Sequence, residues 1–201
     1  MIELLIPLTR NKIEILNIIY EKHETYLSEI ARELKLHPYS VQKTLLKLKP
    51  FLKEKKAGKT NLVLIDKSQK KKNLLIELIE DYKSKTKNKT VNSIIKHIEN
   101  LFSDENIVCS VLFGSYARLS FTKDSDVDLL LIVKKVDKDI NNKISQLSSI
   151  IGKEVNPLIF TKTGFKEIIK NKEVTILSLR KPQQRIIISG IDYFVKNLAE
   201  G

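Results

Sequence analysis

Two aspartates, Asp126 and Asp128, have the residue type and the spacing best suited to chemistry in this sequence. They open the apolar run 129–133, which predicts a buried strand, and residues two apart on a strand project from the same face. Two carboxylates on one face of a buried strand are costly unless a positive charge neutralises them. Because paired carboxylate oxygens are ligands that Mg²⁺ prefers, the pair predicts a divalent-metal site.

A Gly-Ser pair stands shortly before the aspartates. Gly114 and Ser115 end the apolar run 108–113, which predicts another buried strand, and ten residues separate Ser115 from Asp126. Glycine lets the backbone turn tightly and approach a ligand closely. Residues 111–133 therefore predict a strand, a turn suited to ligand contact, and a second strand that carries the carboxylates.

Gly-Ser, ten intervening residues and Asp-x-Asp followed by aliphatic residues resemble the DNA polymerase beta-like nucleotidyltransferase superfamily, especially its minimal members. The resemblance implies an α/β (α+β) domain with a small mixed sheet. It implies an enzyme that transfers an NMP from a nucleoside triphosphate to an acceptor, with AMP as the first candidate for the NMP. The implied metal is Mg²⁺ or Mn²⁺, and the implied substrate is ATP. The matching residues are Asp126 and Asp128 as catalytic metal ligands, and Gly114, Ser115, Arg118 and Ser125 as nucleotide-binding residues.

Members of that superfamily have a third acid on a neighbouring strand. Residues 154–161 predict a third strand, along which Glu154 and Asn156 share one face. By the resemblance Glu154 is the third metal ligand or the catalytic base, and Asn156 is an alternative polar contributor. Leu119 and Ser120 depart from the family, whose members usually carry glycine and an acid there.

Basic residues outnumber acidic ones, with 36 Lys and Arg against 24 Asp and Glu and a formal net charge of +12. Residues 1–100 carry 21 basic and 12 acidic side chains, whereas the remainder carries 15 and 12. A basic N-terminal half indicates contact with a polyanion. A general bias of the composition towards Lys and Ile explains the charge equally well.

Three helical patterns and a Lys-rich hairpin follow one another in residues 8–66. The apolar periodicity predicts helices over 10–24, 29–36 and 41–48, with Ser28 and Ser40 as the caps of the last two. The predicted inward residues of the third helix are Val41, Leu45, Leu46 and Leu48. This order of elements resembles a winged helix-turn-helix.

In a winged helix-turn-helix the third helix enters the major groove, and phosphate contacts hold the module in place. The resemblance therefore implies binding of nucleic acid, double-stranded DNA above all. The implied base-contacting residues are Gln42, Lys43, Thr44 and Lys47, and the implied phosphate contacts of the wing are Lys53, Lys55, Lys56 and Lys59. The alternative is a protein–protein or dimerisation module whose lysines are merely solvated.

The composition changes along the chain predict three segments. We expect a winged helix-turn-helix domain over 1–66, a connecting helix with a linker over 67–89, and a nucleotidyltransferase domain over 90–201.

Cysteine content and apolar runs constrain the compartment. The single cysteine, Cys109, cannot form an intramolecular disulfide, and its place in an apolar strand predicts a buried thiol. The apolar stretch 1–8 is short and interrupted by Glu3 and Pro7, so it does not predict a signal peptide. No apolar run reaches the roughly 18 residues of a membrane span. We expect a cytoplasmic protein.

Three functions are compatible with these patterns. The first is an NMP-transferring enzyme whose acceptor is RNA, a small molecule or a protein such as a toxin partner, since some minimal nucleotidyltransferases resemble antitoxins. The second is a DNA-binding transcriptional regulator whose nucleotidyltransferase-like domain only binds nucleotide. The third is a scaffold whose two domains serve oligomerisation, with a homodimer as the simplest case.

Overall fold

A computed structural model describes residues 9–58, 60–66, 68, 72–86, 88–171 and 173–200. The chain forms two compact units, residues 1–79 and 80–201. Their division falls inside the predicted connecting segment 67–89, between Ile79 and Glu80. Residues 1–8, on which the signal-peptide expectation rests, lie outside the described part. Across the described ranges, no helix has the length and apolarity needed to cross a membrane.

The first unit combines helices with a small antiparallel sheet. Its elements are α1 (Arg10–Lys22), β1 (Glu24–Tyr26), α2 (Leu27–Leu34), α3 (Pro38–Leu48), β2 (Leu52–Ala57), β3 (Thr60–Ile65) and the first part of α4 (Lys72–Ser84). The strand order is β1-β3-β2, and β2 and β3 form a hairpin. Apolar residues of the helices, such as Ile15, Ile30 and Val41, are fully buried together with Leu75 and Ile79 of α4.

Two predicted helix caps are corrected by the structure. Helix α2 begins at Leu27, so Ser28 lies within its first turn. Helix α3 begins at Pro38, so Ser40 also lies inside the helix, and the His37 side chain accepts from the Tyr39 N–H at 3.3 Å. Proline suits the first helical position because its missing N–H would have no partner there.

Leu46 was predicted to face the core of the first unit, and this prediction is wrong: 66% of its surface is exposed. Val41 and Leu48 are fully buried and define the inner face of α3. At 3.6 residues per turn, Leu46 lies about 140° around the helix from Val41, on the opposite side. The face that α3 exposes therefore carries a large apolar residue among polar ones.

The second unit is built on a four-stranded mixed sheet. Its elements after α4 are α5 (Lys89–Leu101), β4 (Ile107–Phe113), α6 (Gly114–Ala117), β5 (Val127–Val133), α7 (Lys138–Ile151), β6 (Val155–Thr161), α8 (Lys162–Lys170), α9 (Val174–Ser178), β7 (Arg185–Ser189) and α10 (Ile191–Glu200). The strand order is β6-β5-β4-β7, with β5 and β6 parallel and the other pairs antiparallel. The predicted α/β domain with a small mixed sheet is confirmed.

Strand β5 is buried on both faces, as its continuous apolar sequence predicts. Leu129, Leu131 and Val133 join a core cluster with residues of α5 and α7. The alternate residues Leu130 and Ile132 point to the other face and are also 0% exposed. The strand that contains Asp128 and begins directly after Asp126 is therefore packed against the core on both faces.

Candidate active site

Asp126 and Asp128 lie at the start of β5, beside both neighbouring strands. Asp126 immediately precedes the strand and is exposed, whereas Asp128 is its second residue and is half-buried. Asp128 is in register with Phe113 at the end of β4 and with Asn156 near the start of β6. The predicted pair of carboxylates therefore stands at the edge of the sheet where these three strand ends meet.

Gly114 brings the turn after β4 directly against Asp128. Its φ of +68° lies in the left-handed region, which side chains other than glycine rarely adopt. A Cβ atom added at Gly114 would lie 2.9 Å from Cγ of Asp128, closer than such atoms approach in real structures. Ser115 follows in the single turn of α6, half-buried. The Gly-Ser turn and the second aspartate thus lie directly against each other.

Asp128 carries a carboxyl group whose charge the fold does not fully compensate. Burial raises its pKa, the negative charge of Asp126 raises it further, and the Arg118 guanidinium opposes both effects to a smaller extent. Arg118 is exposed, and its Nη1 donates to Oε1 of Gln184 at 3.0 Å. Two oxygen-donor carboxylates in this state fit a divalent cation, which would relieve their repulsion and the cost of burial.

The loop between the Gly-Ser turn and the aspartates is organised by its own side chains. Oγ of Ser125 accepts from the Thr122 N–H at 2.8 Å, so this predicted nucleotide-binding residue also forms a turn. Tyr116 is buried, stacks on Phe121 with ring centroids 4.4 Å apart, and donates its hydroxyl to the Ser125 carbonyl at 3.4 Å. Leu119 has a φ of 57°, a conformation that suits the glycine usual in the family.

Glu154 and Asn156 occupy different places relative to the aspartates. Glu154 is exposed and immediately precedes β6, and its carbonyl accepts from the Val127 N–H at 2.9 Å. Nδ2 of Asn156 donates to Oδ2 of Asp126 at 3.4 Å. No three His, Cys, Asp or Glu side chains within the described residues form a metal-binding group. The structure thus brings Asn156 to the aspartates, and the role of Glu154 stays a prediction.

Residues 92–182, which contain the Gly-Ser turn, both aspartates, Glu154 and Asn156, match the family described as "Polymerase beta, Nucleotidyltransferase". The chain is 30% identical over 110 residues to "Putative protein adenylyltransferase MJ0141" of Methanocaldococcus jannaschii, in an alignment that covers 51% of this chain and 98% of that protein. The chain belongs to the polymerase beta nucleotidyltransferase family. It is therefore an enzyme, and the resemblance of residues 111–133 to this family is confirmed.

Two solved toxin–antitoxin structures show a more distant similarity to this nucleotidyltransferase. One, determined with AMP-PNP, is 20% identical with a TM-score of 0.37, and the match covers 55% of this chain and 85% of that one. The other contains a tri-AMPylated HEPN toxin of Shewanella oneidensis in complex with an MNT antitoxin. It is 18% identical with a TM-score of 0.33, over 55% of this chain and 82% of that one.

The nucleotidyltransferase match begins at residue 92 and leaves the first unit uncovered. Of the residues predicted to contact nucleic acid there, Gln42, Lys43 and Lys47 are exposed on α3, and Lys56 is exposed on β2. Other predicted contacts already have a protein partner. Thr44 Oγ1 donates to the Ser40 carbonyl at 2.9 Å, Lys55 pairs with Glu24 at 3.2 Å, and Lys53 pairs with Asp66 at 2.9 Å. Lys59 lies outside the described residues.

Two residues around the nucleotidyltransferase site, Tyr116 and Gln184, were not assigned a contact from the sequence, and a third, Asn156, was named only as an alternative polar contributor. Tyr116 supports the loop from below, Gln184 holds Arg118, and Asn156 contacts Asp126. Only Asn156 had a usable signal, since it shares a strand face with Glu154 two residues away. Gln184 is distant in sequence and has no motif around it.

Proposed function

We propose that the enzyme transfers AMP from ATP to a protein acceptor. The observation that carries the proposal is the pair Asp126 and Asp128, set on one strand end against the turn at Gly114. The Methanocaldococcus jannaschii relative, "Putative protein adenylyltransferase MJ0141", matches over 98% of its length, and its name supports AMP as the group transferred and protein as the acceptor. A hydroxyl side chain of the acceptor would receive the AMP, and pyrophosphate would leave.

Asp126 and Asp128 would hold Mg²⁺, or Mn²⁺, together with the triphosphate. When bound, the metal neutralises phosphate charge and lowers the pKa of the attacking hydroxyl. The carboxylates supply hard oxygen ligands, and a bound cation would offset the burial and the Asp126 charge that raise the pKa of Asp128. Strand β5, buried on both faces, contains Asp128 and begins directly after Asp126, so its packing helps to position both ligands.

The turn after β4 would bind the β- and γ-phosphates. Gly114 has no side chain, so its backbone can approach a phosphate beside Asp128 without steric conflict. The Ser115 hydroxyl and the exposed Arg118 guanidinium are suitable donors to phosphate oxygens. Ser125, whose Oγ accepts from the Thr122 N–H, would act by fixing the loop that carries Asp126.

The position of the label on ATP tests the reaction. With purified protein, Mg²⁺ and a cell extract as the source of acceptors, AMP transfer labels protein from [α-³²P]ATP and leaves it unlabelled from [γ-³²P]ATP. The double variant Asp126→Ala/Asp128→Ala serves as the blank. Equal α-labelling by wild type and the double variant would reject the proposal, and labelling from the γ-position would indicate a kinase contaminant. Parallel reactions with GTP, CTP and UTP define the base preference.

Glu154 would act as the base or the third metal ligand. This role is supported by the backbone, since the Val127 N–H donates to the Glu154 carbonyl at the start of the parallel pair β5 and β6. We expect Glu154→Gln to lower the rate of transfer about 10²-fold, the size of a lost general base, with the Kd of ATP in the absence of metal unchanged. Glu167→Gln, an exposed acid of α8, is the matched control. If Glu154→Gln keeps full activity, Glu154 is neither the catalytic base nor a metal ligand.

One observation favours a second candidate function, a regulator that binds nucleotide with little turnover. Only two carboxylates meet at the site within the described residues, and an amide, Asn156, is in register with Asp128. Two metal ions in a transferase site need more anionic ligands than two. If this reading holds, Asn156→Asp should raise the rate of AMP transfer above wild type.

We propose further that the first unit is a winged helix-turn-helix that binds double-stranded DNA. The order α1, β1, α2, α3 and the β2–β3 hairpin supports this assignment. Helix α3 has no acidic residue and exposes Gln42, Lys43 and Lys47, which suits a helix facing a polyanion.

Replacing Lys43 and Lys47 together by alanine should weaken binding to duplex DNA. Each lysine that neutralises a phosphate adds about 0.9 to the slope of log K against log salt, so we expect the slope to become shallower by about 1 to 2. Fluorescence anisotropy over a range of salt concentrations measures both quantities. Lys134→Ala/Lys135→Ala, which removes two exposed lysines of the second unit, is the matched control. Equal slopes for both double variants would exclude α3 as the DNA-binding helix.

A further inference from the structure

Three charged side chains of the second unit are buried together outside the residues assigned to the site. Glu80 and Lys83 belong to the last turns of α4, and Arg185 is the first residue of β7. Glu80 is 0% exposed and Arg185 is 3% exposed, and Nη2 of Arg185 donates to Oε1 of Glu80. Nζ of Lys83 lies 3.4 Å from Oε2 of Glu80. Buried charges are costly and are retained only where pairing is good, so their placement suggests a role.

These side chains hold the backbone that leads into β7. Nζ of Lys83 donates to the carbonyl of Pro182 at 2.5 Å and to that of Arg185 at 3.2 Å. Nη1 of Arg185 donates to the Leu179 carbonyl, and its guanidinium carbon lies 5.4 Å from the centroid of the Phe194 ring. Residues 179–185 are thereby fixed at three carbonyl groups by charged donors.

The same backbone contacts both ends of the turn that contains Gly114. Arg185 is in register with Phe113, the residue before Gly114. Gln184 accepts from Arg118, the C-terminal cap of α6, at 3.0 Å. A displacement of residues 182–185 would therefore move the beginning and the end of this turn.

We propose that Glu80, Lys83 and Arg185 are positioning residues for nucleotide binding. They fix residues 182–185, and these residues hold the turn 114–118 against Asp128. The inference rests on the proposed function of that turn as the triphosphate site. It places the start of the functional transferase unit in α4, before residue 92 where the family match begins.

Lys83→Met in the full-length protein tests the inference. Methionine keeps the length of the side chain and removes the ammonium donors. We expect the Kd of ATP with Mg²⁺, measured by calorimetry at a temperature at which every variant is folded, to rise about five-fold. Lys83→Arg, which keeps the charge and the donors, should restore part of the loss. Asp81 lies on the same helix as Lys83, is exposed and forms an ion pair with Lys85, so Asp81→Asn should leave the Kd of ATP unchanged.

A merely structural role gives a different result. Lys83→Met would then lower the melting temperature while the Kd of ATP stays at the wild-type value, and this outcome overturns the inference. If Lys83→Met does not fold, Glu80→Met/Arg185→Met replaces the ion pair by apolar side chains, a change that folded proteins often tolerate. The Kd should rise in that variant as well, and an unchanged value again overturns the inference.

The variant Gln184→Ala tests whether Lys83 affects nucleotide binding through Gln184. Because Lys83 acts in part through Gln184, the double variant Lys83→Met/Gln184→Ala should lose less ATP affinity than the product of the two single losses. If the loss of ATP affinity in the double variant equals the product of the two single losses, Lys83 does not act through Gln184. Titration of the wild-type protein with ATP separates the two possible failures. If wild type binds no ATP, both the proposed function and the inference are wrong. If wild type binds ATP and the variants bind it equally well, only the inference is wrong.

Discussion

Replacing Asp128 by asparagine is expected to abolish AMP transfer and, at the same time, to raise the melting temperature of the metal-free protein. The transfer rate should fall about 10³-fold or more, because metal coordination contributes several kcal/mol to the stabilisation of the transition state. The melting temperature should rise by a few degrees, because burial and the neighbouring charge of Asp126 both disfavour the Asp128 carboxylate in the folded protein. Calorimetry in the presence of EDTA measures the second effect.

The pH dependence of this stabilisation follows from the direction of the shift. The pKa of Asp128 is raised in the folded protein, so its contribution to stability is fully present below the pKa of the unfolded chain. That contribution is lost as the pH rises through the folded-state pKa. The excess melting temperature of Asp128→Asn over wild type should therefore be largest near pH 7 and should shrink towards zero below about pH 4.

Asp124→Asn is the matched control for this experiment. Asp124 is an exposed acid of the same loop, so its replacement removes one negative charge without touching the strand. It should change neither the transfer rate nor the melting temperature measurably. A variant Asp128→Asn that is less stable than wild type in EDTA at pH 7 would show that the folded protein stabilises this carboxylate without a bound cation.

The transferase site could be predicted from sequence because its signals are local. The turn at Gly114, the carboxylates of Asp126 and Asp128 and the two flanking strands all lie within residues 107–133. Strand burial is readable from continuous apolar runs, and face-sharing of residues two apart follows from strand geometry alone. Strands β4, β5 and β6 were predicted from their apolar sequences for the same reason.

The contacts that join distant parts of the chain could not be predicted. Glu80 precedes Arg185 by more than a hundred residues, and a glutamate in an apolar helix is equally compatible with an exposed helix face. The contact of Asn156 with Asp126 depends on the register between β5 and β6, which one sequence does not specify. Helix α3 shows a related limit, because Leu46 was assigned to the core by its apolarity although the helical angle places it outside.

Gly114→Ala is expected to damage both stability and catalysis. Alanine at a φ of +68° costs about 1–2 kcal/mol in backbone conformation. Its Cβ would also lie 2.9 Å from Cγ of Asp128, so the carboxylate or the turn must shift, which costs about 1–3 kcal/mol more. A misplacement of about 1 Å in a reacting constellation can lower the rate about 10²-fold. Thermal unfolding and AMP transfer at a temperature at which the variant is folded measure the two effects.

Gly152→Ala measures the cost of placing alanine at a positive φ without the steric clash that Gly114→Ala causes with Asp128. Gly152 has a φ of +63° at the C-terminal cap of α7, and a Cβ atom added there meets nothing within 4 Å. This variant should lose only the conformational cost and keep the wild-type transfer rate. The difference between the two variants then isolates the close approach of Gly114 to Asp128, and the double variant Gly114→Ala/Asp128→Asn should not restore transfer, since it lacks the carboxylate. Equal rates for Gly114→Ala and Gly152→Ala would mean that the turn does not need its contact with Asp128, and the Gly-Ser motif would then act through backbone conformation alone.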